Sequence, residues 1–551
     1  MHRRTLLRSA LLASCGLAGC KPAPDLTHIS GGFSGVSVER GHALRDLLHS
    51  GVARPQPTKV FKTQVLIAGG GVAGLAAARA LRLHGVDDYA LLELEDSAGG
   101  NARGGAMGGI ACPLGAHYLP VPGEDAPDVQ DLLEELGLRQ RVAGRWQYDE
   151  RHLCHSPQER LFFNGQWQDG LLPVQGVAHD TLAQYQKFAA LVEQEHRAGR
   201  WSIPVRNRAA TPVQRALAAI TFVAYLDRNG LTDPQLRWYL DYCCRDDYGA
   251  GIRTVSAWAG IHYFASRHGF HAPGSESGER EAVLTWPEGN AWITRQLAAP
   301  LGERLHTGHV VLRIANTRNG VEVDALNAQT QAVERWQARS AIVALPVHVA
   351  AKVVQNPPDF LTRAAQHLVQ APWLVANLHL NAPLHDRPGA APSWDNVLYG
   401  DAITAPGLGY VDACHQRLQS VPGATVLTYY RALGDAAGGP LAARQLLLHK
   451  PWAAWRDEIV AELSAAHPDL AAHVTKLEVT RYGHAMAIPV PNSEGQIGLQ
   501  GPQNVRTQLS KTERIAVDPA RSWEHLRFAH SDWAGYSVFE EAFVAGHTAV
   551  G

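Results

Sequence analysis

The sequence has few cysteines and no excess of charge, and each shortage excludes a class of protein. Seven cysteines stand among 551 residues, without a C-x-x-C pair or a zinc-ligand spacing. This pattern predicts neither a metal site nor covalently attached c-type haem. The formal net charge of −2 excludes the strongly basic surface that a nucleic-acid partner would require. Cys243 and Cys244 are expected to be buried thiols, with a strained vicinal disulfide as the alternative.

Long apolar runs are also lacking, and the apolar residues 11–19 are too few to span a bilayer. Residues 1–20 are instead typical of an export signal, with Arg3 and Arg4 favouring the twin-arginine route. The segment "LAGC" resembles a bacterial lipobox that would make Cys20 a lipid anchor; an ordinary secretory signal is the alternative. We expect a protein of the periplasm or cell envelope, with residues 21–61 as a tether and N-terminal extension.

The stretch "VLIAGGGVAGLAAARAL", residues 65–81, is typical of a dinucleotide-binding turn. A strand runs into Gly69, Gly71 and Gly74, and a helix follows. Gly69 permits the tight turn, Gly71 lets the backbone approach a pyrophosphate, and Gly74 permits close packing of helix on sheet. The start of the helix directs N–H groups and a positive dipole end toward phosphates.

An acidic residue follows the second strand, "YALLELE". Glu93 stands about twenty residues after Gly74, where a carboxylate accepts hydrogen bonds from ribose hydroxyls. Glu95 is the alternative by strand register. An acid at this place disfavours the 2′-phosphate of NADP, so the pattern leaves NAD and FAD.

The next loop, "EDSAGGNARGG", resembles the flavin-containing amine oxidase superfamily. In that family a Gly-Gly loop, here Gly99 and Gly100, lies over the FAD pyrophosphate, and we assign Arg103 to the cofactor with it. The resemblance continues in "PLGAHYLP" (113–120), "LTWPEGN" (284–290) and "IVALP" (342–346). In "GHVVLRI" (308–314) it implies that Val311 abuts the adenine. The C-terminal "FAHSDWAGYSVFEEAFVAG" (528–546) is most similar to bacterial spermidine dehydrogenases.

The resemblance implies an α/β fold with a Rossmann-like FAD-binding domain and an α+β substrate domain. The flavin domain is assembled from residues 62–125, 283–346 and 505–551, and the substrate domain from residues 126–282 and 347–504. Helical periodicity dominates the first substrate segment, where "PVQRALAAITFVAYLDRNG" predicts one helix that ends at Gly230. The sequence "HVVLRIANTRNGVEVDAL" predicts a hairpin that turns at Asn319-Gly320.

The C-terminal motif has a physical interpretation of its own. Ser537 and Glu540 have the spacing of a capping box, and the helix that they open would present N–H groups to the pyrimidine end of a flavin. Asp532 would hydrogen-bond the ribityl chain or the pyrophosphate side. A solvated turn acid is the alternative for Asp532.

The substrate is expected to lie in an apolar cage over the flavin. Trp533 and Tyr536 resemble the aromatic side of the family's cage, and His117, Tyr118 and His484 are further candidates to face the ring. His484 could equally be a hydrogen-bonded core histidine.

Two adjacent acids in "CCRDDYGAG" could bind the distal ammonium of a polyamine. Asp246 and Asp247 are these residues; a solvated or helix-capping pair is the alternative.

The resemblance implies oxidation of an amine, with polyamines as candidate substrates and non-covalent FAD as the cofactor. A hydride equivalent would pass from the carbon beside nitrogen to flavin N5, and water would hydrolyse the imine. Many family members carry a lysine opposite N5, whereas the matching strand "WLVANLHL" has none, which favours a dehydrogenase over an oxidase. The electron acceptor is then a quinone or cytochrome, with oxygen as the alternative. Two other hypotheses are a desaturase or porphyrinogen-oxidase type enzyme acting on a large apolar substrate, and a non-catalytic flavin-binding lipoprotein.

Overall fold

A computed structural model describes residues 25–49, 56–205, 210–274, 282–385, 387–401, 403–417, 421–492 and 522–550. The predicted export signal and Cys20 lie outside the described residues, as do residues 505–521 of the third flavin segment. In the described part of the chain, no helix is both long and apolar enough to cross a bilayer. Cys243 and Cys244 are free thiols, so the vicinal disulfide does not form.

The strands are numbered in chain order. They are β1 (Ser30–Ser34), β2 (Lys59–Ala68), β3 (Tyr89–Leu92), β4 (Gly104–Met107), β5 (Ile110–Pro113), β6 (Tyr118–Pro120), β7 (Arg139–Val142), β8 (Arg145–Tyr148), β9 (Glu159–Phe163), β10 (Gln166–Asp169), β11 (Val283–Thr285), β12 (Leu305–His306), β13 (His309–Thr317), β14 (Gly320–Asn327), β15 (Val333–Val343), β16 (Val369–Leu380), β17 (Asp395–Leu398), β18 (Tyr410–Asp412), β19 (Thr425–Ala432), β20 (Val474–Ile488), β21 (Ser522–Trp523) and β22 (Leu526–Phe528).

The α-helices follow the same convention, and short 3₁₀ segments stand at Ala299–Arg304, Ala413–Gln416 and Ser531–Ala534. The α-helices are α1 (Val38–His49), α2 (Val72–Leu83), α3 (Pro127–Glu135), α4 (His179–Arg197), α5 (Pro212–Ala218), α6 (Phe222–Arg228), α7 (Pro234–Tyr248), α8 (Ala257–Ala265), α9 (Ala291–Ala298), α10 (Val347–Val353), α11 (Asp359–His367), α12 (Gly439–His449), α13 (Trp452–Ser464), α14 (Leu470–His473) and α15 (Phe539–Thr548).

The first sheet has the strand order β12-β3-β2-β15-β14-β13. Strands β12, β3, β2 and β15 are parallel, and the end of β15 also pairs with β22. In β2, Ile67 packs toward α2 and α15, whereas its neighbour Leu66 packs toward α10 and α11. Both faces are therefore covered, which is the arrangement of a doubly wound α/β core. The predicted Rossmann-like fold is confirmed, and β13 and β14 form the predicted hairpin.

The second sheet has the order β1-β20-β16-β19-β18-β17-β9-β10. Its central strand β16 is antiparallel to both neighbours. Leu374 packs toward α12, α13 and α14, whereas Val375 packs toward the layer that contains α4, α6, α7 and α8. Because helices cover both faces, β16 is an almost continuous apolar run rather than an alternating one.

One expectation about local structure is wrong. The predicted single helix over residues 212–230 is two helices, because Ile220 and Phe222 form backbone hydrogen bonds with Ala257 and Val255 (2.8 and 2.9 Å). Thr221 then caps α6 through its side chain. Part of the predicted tether and N-terminal extension, residues 21–61, has regular structure: residues 30–34 form the edge strand β1, and α1 follows it.

Candidate active site

A cavity of about 520 Å³ lies where β2, β3 and β15 end and the second sheet begins. Ligand crevices of doubly wound sheets lie at this carboxyl edge. Most residues predicted for the site line the cavity: Gly69, Gly71, Glu93, Gly99, Gly100, His117, Tyr118, Asp246, Asp247, Val311, His484, Asp532 and Ser537. The cavity lining does not include the other four: Gly74, Arg103, Trp533 and Tyr536.

The glycine turn connects β2 to α2. Gly71 is the N-cap of α2, and no side chain bonds to the first helical turn, so its N–H groups are available to a ligand. Gly69 has a φ of +105°, which favours glycine. A Cβ added at Gly74 would stand 1.8 Å from the Gly69 carbonyl oxygen. The absence of a side chain at Gly74 therefore lets α2 pack closely against the end of β2.

The structure distinguishes the two candidate acids after β3. Glu93 is 7% exposed, and its carboxylate accepts hydrogen bonds from the N–H groups of Gly70 and Glu95, both at 2.8 Å. Burial raises the pKa of Glu93 in spite of these two bonds. Glu95 instead accepts the Ser37 N–H at 2.9 Å and does not line the cavity. The geometry supports Glu93 as the ribose-binding acid.

The second glycine loop lies against the first. Gly99 N–H donates to the Gly70 carbonyl oxygen at 2.8 Å. A Cβ added at Gly100 would stand 3.0 Å from the Gly71 Cα. Both loops therefore need glycine to bring their backbones together at the cavity wall.

Arg103 has a different role from the predicted one. Its side chain is 5% exposed, faces Glu95 at 3.5 Å, and donates to the Gly35 carbonyl oxygen. The assignment of Arg103 as a direct cofactor ligand is a wrong prediction, because its guanidinium binds groups of the protein outside the cavity.

Val311 and Asp532 both lie on the cavity wall, as predicted. Asp532 accepts the Val347 N–H at 2.9 Å, and the His530 ring lies 3.3 Å away. Burial opposes ionisation of Asp532, but the His530 ring and the Val347 N–H outweigh it and lower the pKa. Asp532 is therefore a buried anion at the start of α10 rather than a solvated turn acid.

Aromatic rings line the end of the cavity that the second sheet forms. The His117 ring stacks on Tyr430 with centroids 4.4 Å apart, and Trp394 and Tyr118 lie at 5.4 and 5.0 Å. Burial lowers the pKa of His117 to about 3. The imidazole is therefore neutral at physiological pH and cannot repel a cation.

Acidic side chains stand at the same end. Tyr118 O–H donates to an Asp246 carboxylate oxygen at 3.2 Å, and Asp247 pairs with Arg267 at 2.9 Å. Burial, and secondarily the charge of Asp247, raise the pKa of Asp246 to about 7. Burial also raises the pKa of Glu540, at the start of α15, to about 7. In the described chain, no group of histidine, cysteine, aspartate and glutamate is arranged to hold a metal.

A comparison with protein families identifies the family of the chain and its cofactor. The model of the family described as flavin containing amine oxidoreductase matches residues 72–551. The chain belongs to this family. Its cofactor is FAD, and it is an oxidoreductase.

The chain is also similar to individual proteins and solved structures. The L-amino acid dehydrogenase of Synechocystis sp. is 28% identical over 305 residues, which are 53% of this chain and 58% of that protein. The match thus spans only a little over half of that relative. Among solved structures, a putrescine oxidase variant superposes with a TM-score of 0.65 at 16% identity, and cyclohexylamine oxidase from Brevibacterium oxydans with 0.59 at 17%. Each covers 89% of this chain and 98% of the other; at such identities they show a shared fold.

The residues of the cavity fit FAD. The uncapped start of α2 and the two glycine loops can receive the pyrophosphate, and Glu93 can accept the ribose hydroxyls. Val311 gives an apolar wall for the adenine. The start of α15 has no cap from the side chain of its N-cap residue, and its positive dipole end can face the flavin ring.

The capping box predicted at that helix does not form. The N-cap of α15 is Val538, and the Ser537 hydroxyl accepts the Ala487 N–H at 3.1 Å instead. Glu540 lines the cavity rather than folding back to Ser537. The N-terminal end of α15 still lies at the cavity, where its dipole can stabilise negative charge on the flavin.

The predicted aromatic cage is also corrected. Trp533 packs against Phe360 and Phe528, with ring centroids 6.0 and 6.2 Å away. The Tyr536 hydroxyl donates to Glu541 at 2.8 Å inside the core. Both rings therefore pack inside the protein, and the aromatic wall of the cavity comes from Tyr430 of the second sheet and from His117 and Tyr118 at β6.

His484 lies on the cavity wall rather than in the core. Its Nε2 accepts a hydrogen bond from the Arg444 guanidinium at 3.2 Å, and its ring stacks on His348 with centroids 4.4 Å apart. Burial, and secondarily His348 and Arg444, lower the pKa of His484 to about 3. The imidazole is therefore neutral at physiological pH, with its acceptor nitrogen Nε2 bound by Arg444 and its one proton on Nδ1.

Several cavity residues escaped the sequence interpretation: Tyr430, Arg267 and Glu540. Tyr430 stands in "ATVLTYYRAL", whose pattern predicts a strand, but alternation alone does not identify the face that meets a flavin. Arg267 and Glu540 come from segments far apart in the chain, and no local pattern connects them.

Proposed function

We propose that the protein oxidises small amines that carry a second positive charge, with diamines and polyamines as the substrate class. One observation carries this proposal: a carboxylate and aromatic rings share one end of the cavity that holds the FAD cradle. Asp246 is the carboxylate, and His117 and Tyr430 are among the rings. A large apolar substrate would leave Asp246 buried with only the Tyr118 hydroxyl as a partner, which is costly.

The electrostatics of Asp246 suit a cationic ligand. A pKa raised to about 7 means that the Asp246 carboxyl is only partly ionised at neutral pH. An ammonium that enters would stabilise the ionised form and be stabilised by it. The faces of Tyr430 and Tyr118 add cation–π attraction. Asp246 would therefore hold the distal ammonium of the substrate while the reacting amine lies nearer the flavin.

The bound flavin supplies the chemistry by accepting a hydride equivalent. The protein binds the substrate, orients it and excludes water. His117, neutral in its aromatic stack, would maintain a dry wall without acting as an acid. Asp247 is paired with Arg267. Asp246 and Glu540 would therefore be the acidic groups at this end of the cavity that can bind an ammonium.

The direct test is anaerobic titration of the purified holoprotein. We expect a diamine or polyamine to bleach the absorbance of the oxidised flavin. Monoamines of equal length should do so only at much higher concentration. If mono-, di- and polyamines all left the flavin oxidised, the amine assignment would be wrong, and the non-catalytic hypothesis would gain support.

An amino acid is the second candidate substrate. The observation that favours it is the Arg267 guanidinium on the cavity wall, since arginine binds carboxylates in a bidentate manner. In the structure Asp247 already binds this guanidinium, so we rank amino acids below diamines. Bleaching by L-amino acids but not by diamines would reverse this order.

We further propose that the enzyme is a dehydrogenase. In the described part of the chain, the cavity wall contains no lysine, and Val375 of β16 lines it instead. After anaerobic reduction by the substrate, we expect an added quinone analogue or cytochrome to reoxidise the flavin at least ten times faster than air does. Equally fast reoxidation in air, monitored by flavin absorbance, would indicate an oxidase.

Export to the periplasm or cell envelope, with a lipid anchor at Cys20, stays part of the proposal. The paired Arg3 and Arg4 support it. Changing both arginines to lysine should retain the precursor in the cytoplasm, as fractionation and immunoblotting would report. Unchanged export of that variant would exclude the twin-arginine route.

A further inference from the structure

Residues 30–49, which we call the N-terminal strap, connect the two sheets. Strand β1 pairs in parallel with the edge of β20, from Ser30 opposite Lys476 to Ser34 opposite Thr480. The fit is close, since a Cβ added at Gly31 would stand 1.8 Å from the Leu477 carbonyl oxygen. The strap is therefore anchored to the second sheet by a ladder of backbone hydrogen bonds.

The strap is also attached to the first sheet, at the loop that follows β3. Ser37 N–H donates to Glu95 at 2.9 Å. The Arg40 guanidinium donates to Asp96 at 2.7 Å and to the Leu94 carbonyl oxygen at 3.3 Å. This loop directly follows Glu93, the acid assigned to the ribose. The strap is thus fixed to the segment that binds the adenosine half of FAD.

One face of α1 lines the cavity. Arg40, Gly41 and Leu44 are on its wall together with Val310 and Val311. Leu44 is 8% exposed and belongs to the same apolar cluster as these two valines. Arg40, Gly41 and Leu44 stand one turn apart or less along the helix, so they form a continuous surface. Strand β13 and helix α1 are therefore two walls of one end of the cavity.

We propose that the strap is part of the FAD site: α1 covers the adenosine half of the cofactor and slows its release. The strap precedes the segment that matches the flavin family, residues 72–551, so the family comparison does not assign it a role. Gly41 is the position to test, because it is on the cavity lining and a Cβ added there meets no protein atom within 4 Å, so the protein itself leaves room for a larger side chain. The proposal does not depend on which substrate is oxidised.

The test replaces Gly41 by leucine and measures binding of FAD to the apoprotein by quenching of flavin fluorescence. The added side chain would occupy the space of the adenosine, so we expect the Kd for FAD to rise at least tenfold. Because leucine favours a helix over glycine, the apoprotein should melt at the same or a higher temperature. ADP, a probe of the adenosine half alone, should lose affinity in parallel.

Asp46→Leu is the matched control. Asp46 lies on the same helix with its side chain 64% exposed and does not line the cavity. We expect its Kd for FAD to stay within twofold of the wild-type value. In addition, Arg40→Ala should speed FAD dissociation severalfold because it loosens the attachment of the strap to Asp96. Wild-type affinity in Gly41→Leu, or equal losses in Gly41→Leu and Asp46→Leu, would overturn the proposal.

Discussion

Replacing Gly74 by alanine is expected to give a protein that retains almost no FAD. The new Cβ would stand 1.8 Å from the Gly69 carbonyl oxygen, which is backbone and cannot rotate away. Alanine would favour the helix by about 1 kcal/mol, but the clash should outweigh this and lower the free energy of unfolding by roughly 3 kcal/mol. Denaturant unfolding and the flavin-to-protein absorbance ratio measure the two effects.

The control for this experiment is Gly123→Ala. A Cβ added at Gly123 meets no protein atom within 4 Å, so FAD content and stability should stay near wild type. Gly546→Ala should instead resemble Gly74→Ala, because its Cβ would stand 1.9 Å from the carbonyl oxygen of Ala73, which is in the first turn of α2. Full FAD occupancy in Gly74→Ala would show that the helix can move away from the strand, contrary to the packing argument.

The second large effect is expected for Asp246→Asn. With a diamine or polyamine, kcat/KM should fall about 100-fold, the order expected when one partner of a buried charge pair is removed. With a monoamine of the same length, the change should stay within about threefold. FAD content should not change, because Asp246 lies at the aromatic end of the cavity. Steady-state kinetics with both substrates measure the difference.

The matched control is Asp227→Asn, an exposed carboxylate of α6 that pairs with Arg237 and does not line the cavity. Its kinetics should equal those of the wild type for both substrates. Equal losses for monoamine and diamine in Asp246→Asn would mean that Asp246 acts on the fold or on the reaction rather than on the distal ammonium.

The pH dependence of cation binding provides an independent test of the role of Asp246. Because the ionised form of Asp246 attracts a cation and its pKa is raised to about 7, binding should strengthen from pH 6 to pH 8. A permanently charged quaternary diammonium is the appropriate probe, since only the protein titrates. Calorimetric or spectral titration should show most of this rise lost in Asp246→Asn, with Glu540 responsible for the remainder.

Local patterns predicted the cofactor half of the site well. The strand, Gly69, Gly71, Gly74 and the helix are contiguous, and their chemistry depends on backbone conformation that short segments decide. Glu93 could be named as a candidate but not separated from Glu95. The structure distinguishes the two acids, because the N–H of Ser37, 58 residues before Glu95, donates to the Glu95 carboxylate.

Predictions failed where another group of the protein, close or distant in sequence, bound the same side chain. Ser537 has the spacing of a capping residue, but the Ala487 N–H occupies its hydroxyl. Tyr536 has the character of a cage residue, but Glu541 holds its hydroxyl in the core. Arg103 stands in a cofactor loop, but the strap and Glu95 bind its guanidinium.

The sequence by itself determined the dinucleotide turn, the α/β fold and the flavin family, because these depend on local backbone requirements and on motif order along the chain. Only the tertiary structure decided which residues line the aromatic end of the cavity. Asp246, Tyr430, Arg267 and Glu540 are brought together by helices and strands distant in sequence, and their pKa values depend on burial that no local pattern encodes. The position of the strap was likewise decided only by the tertiary structure, because the strap reaches the cavity through its contacts with both sheets.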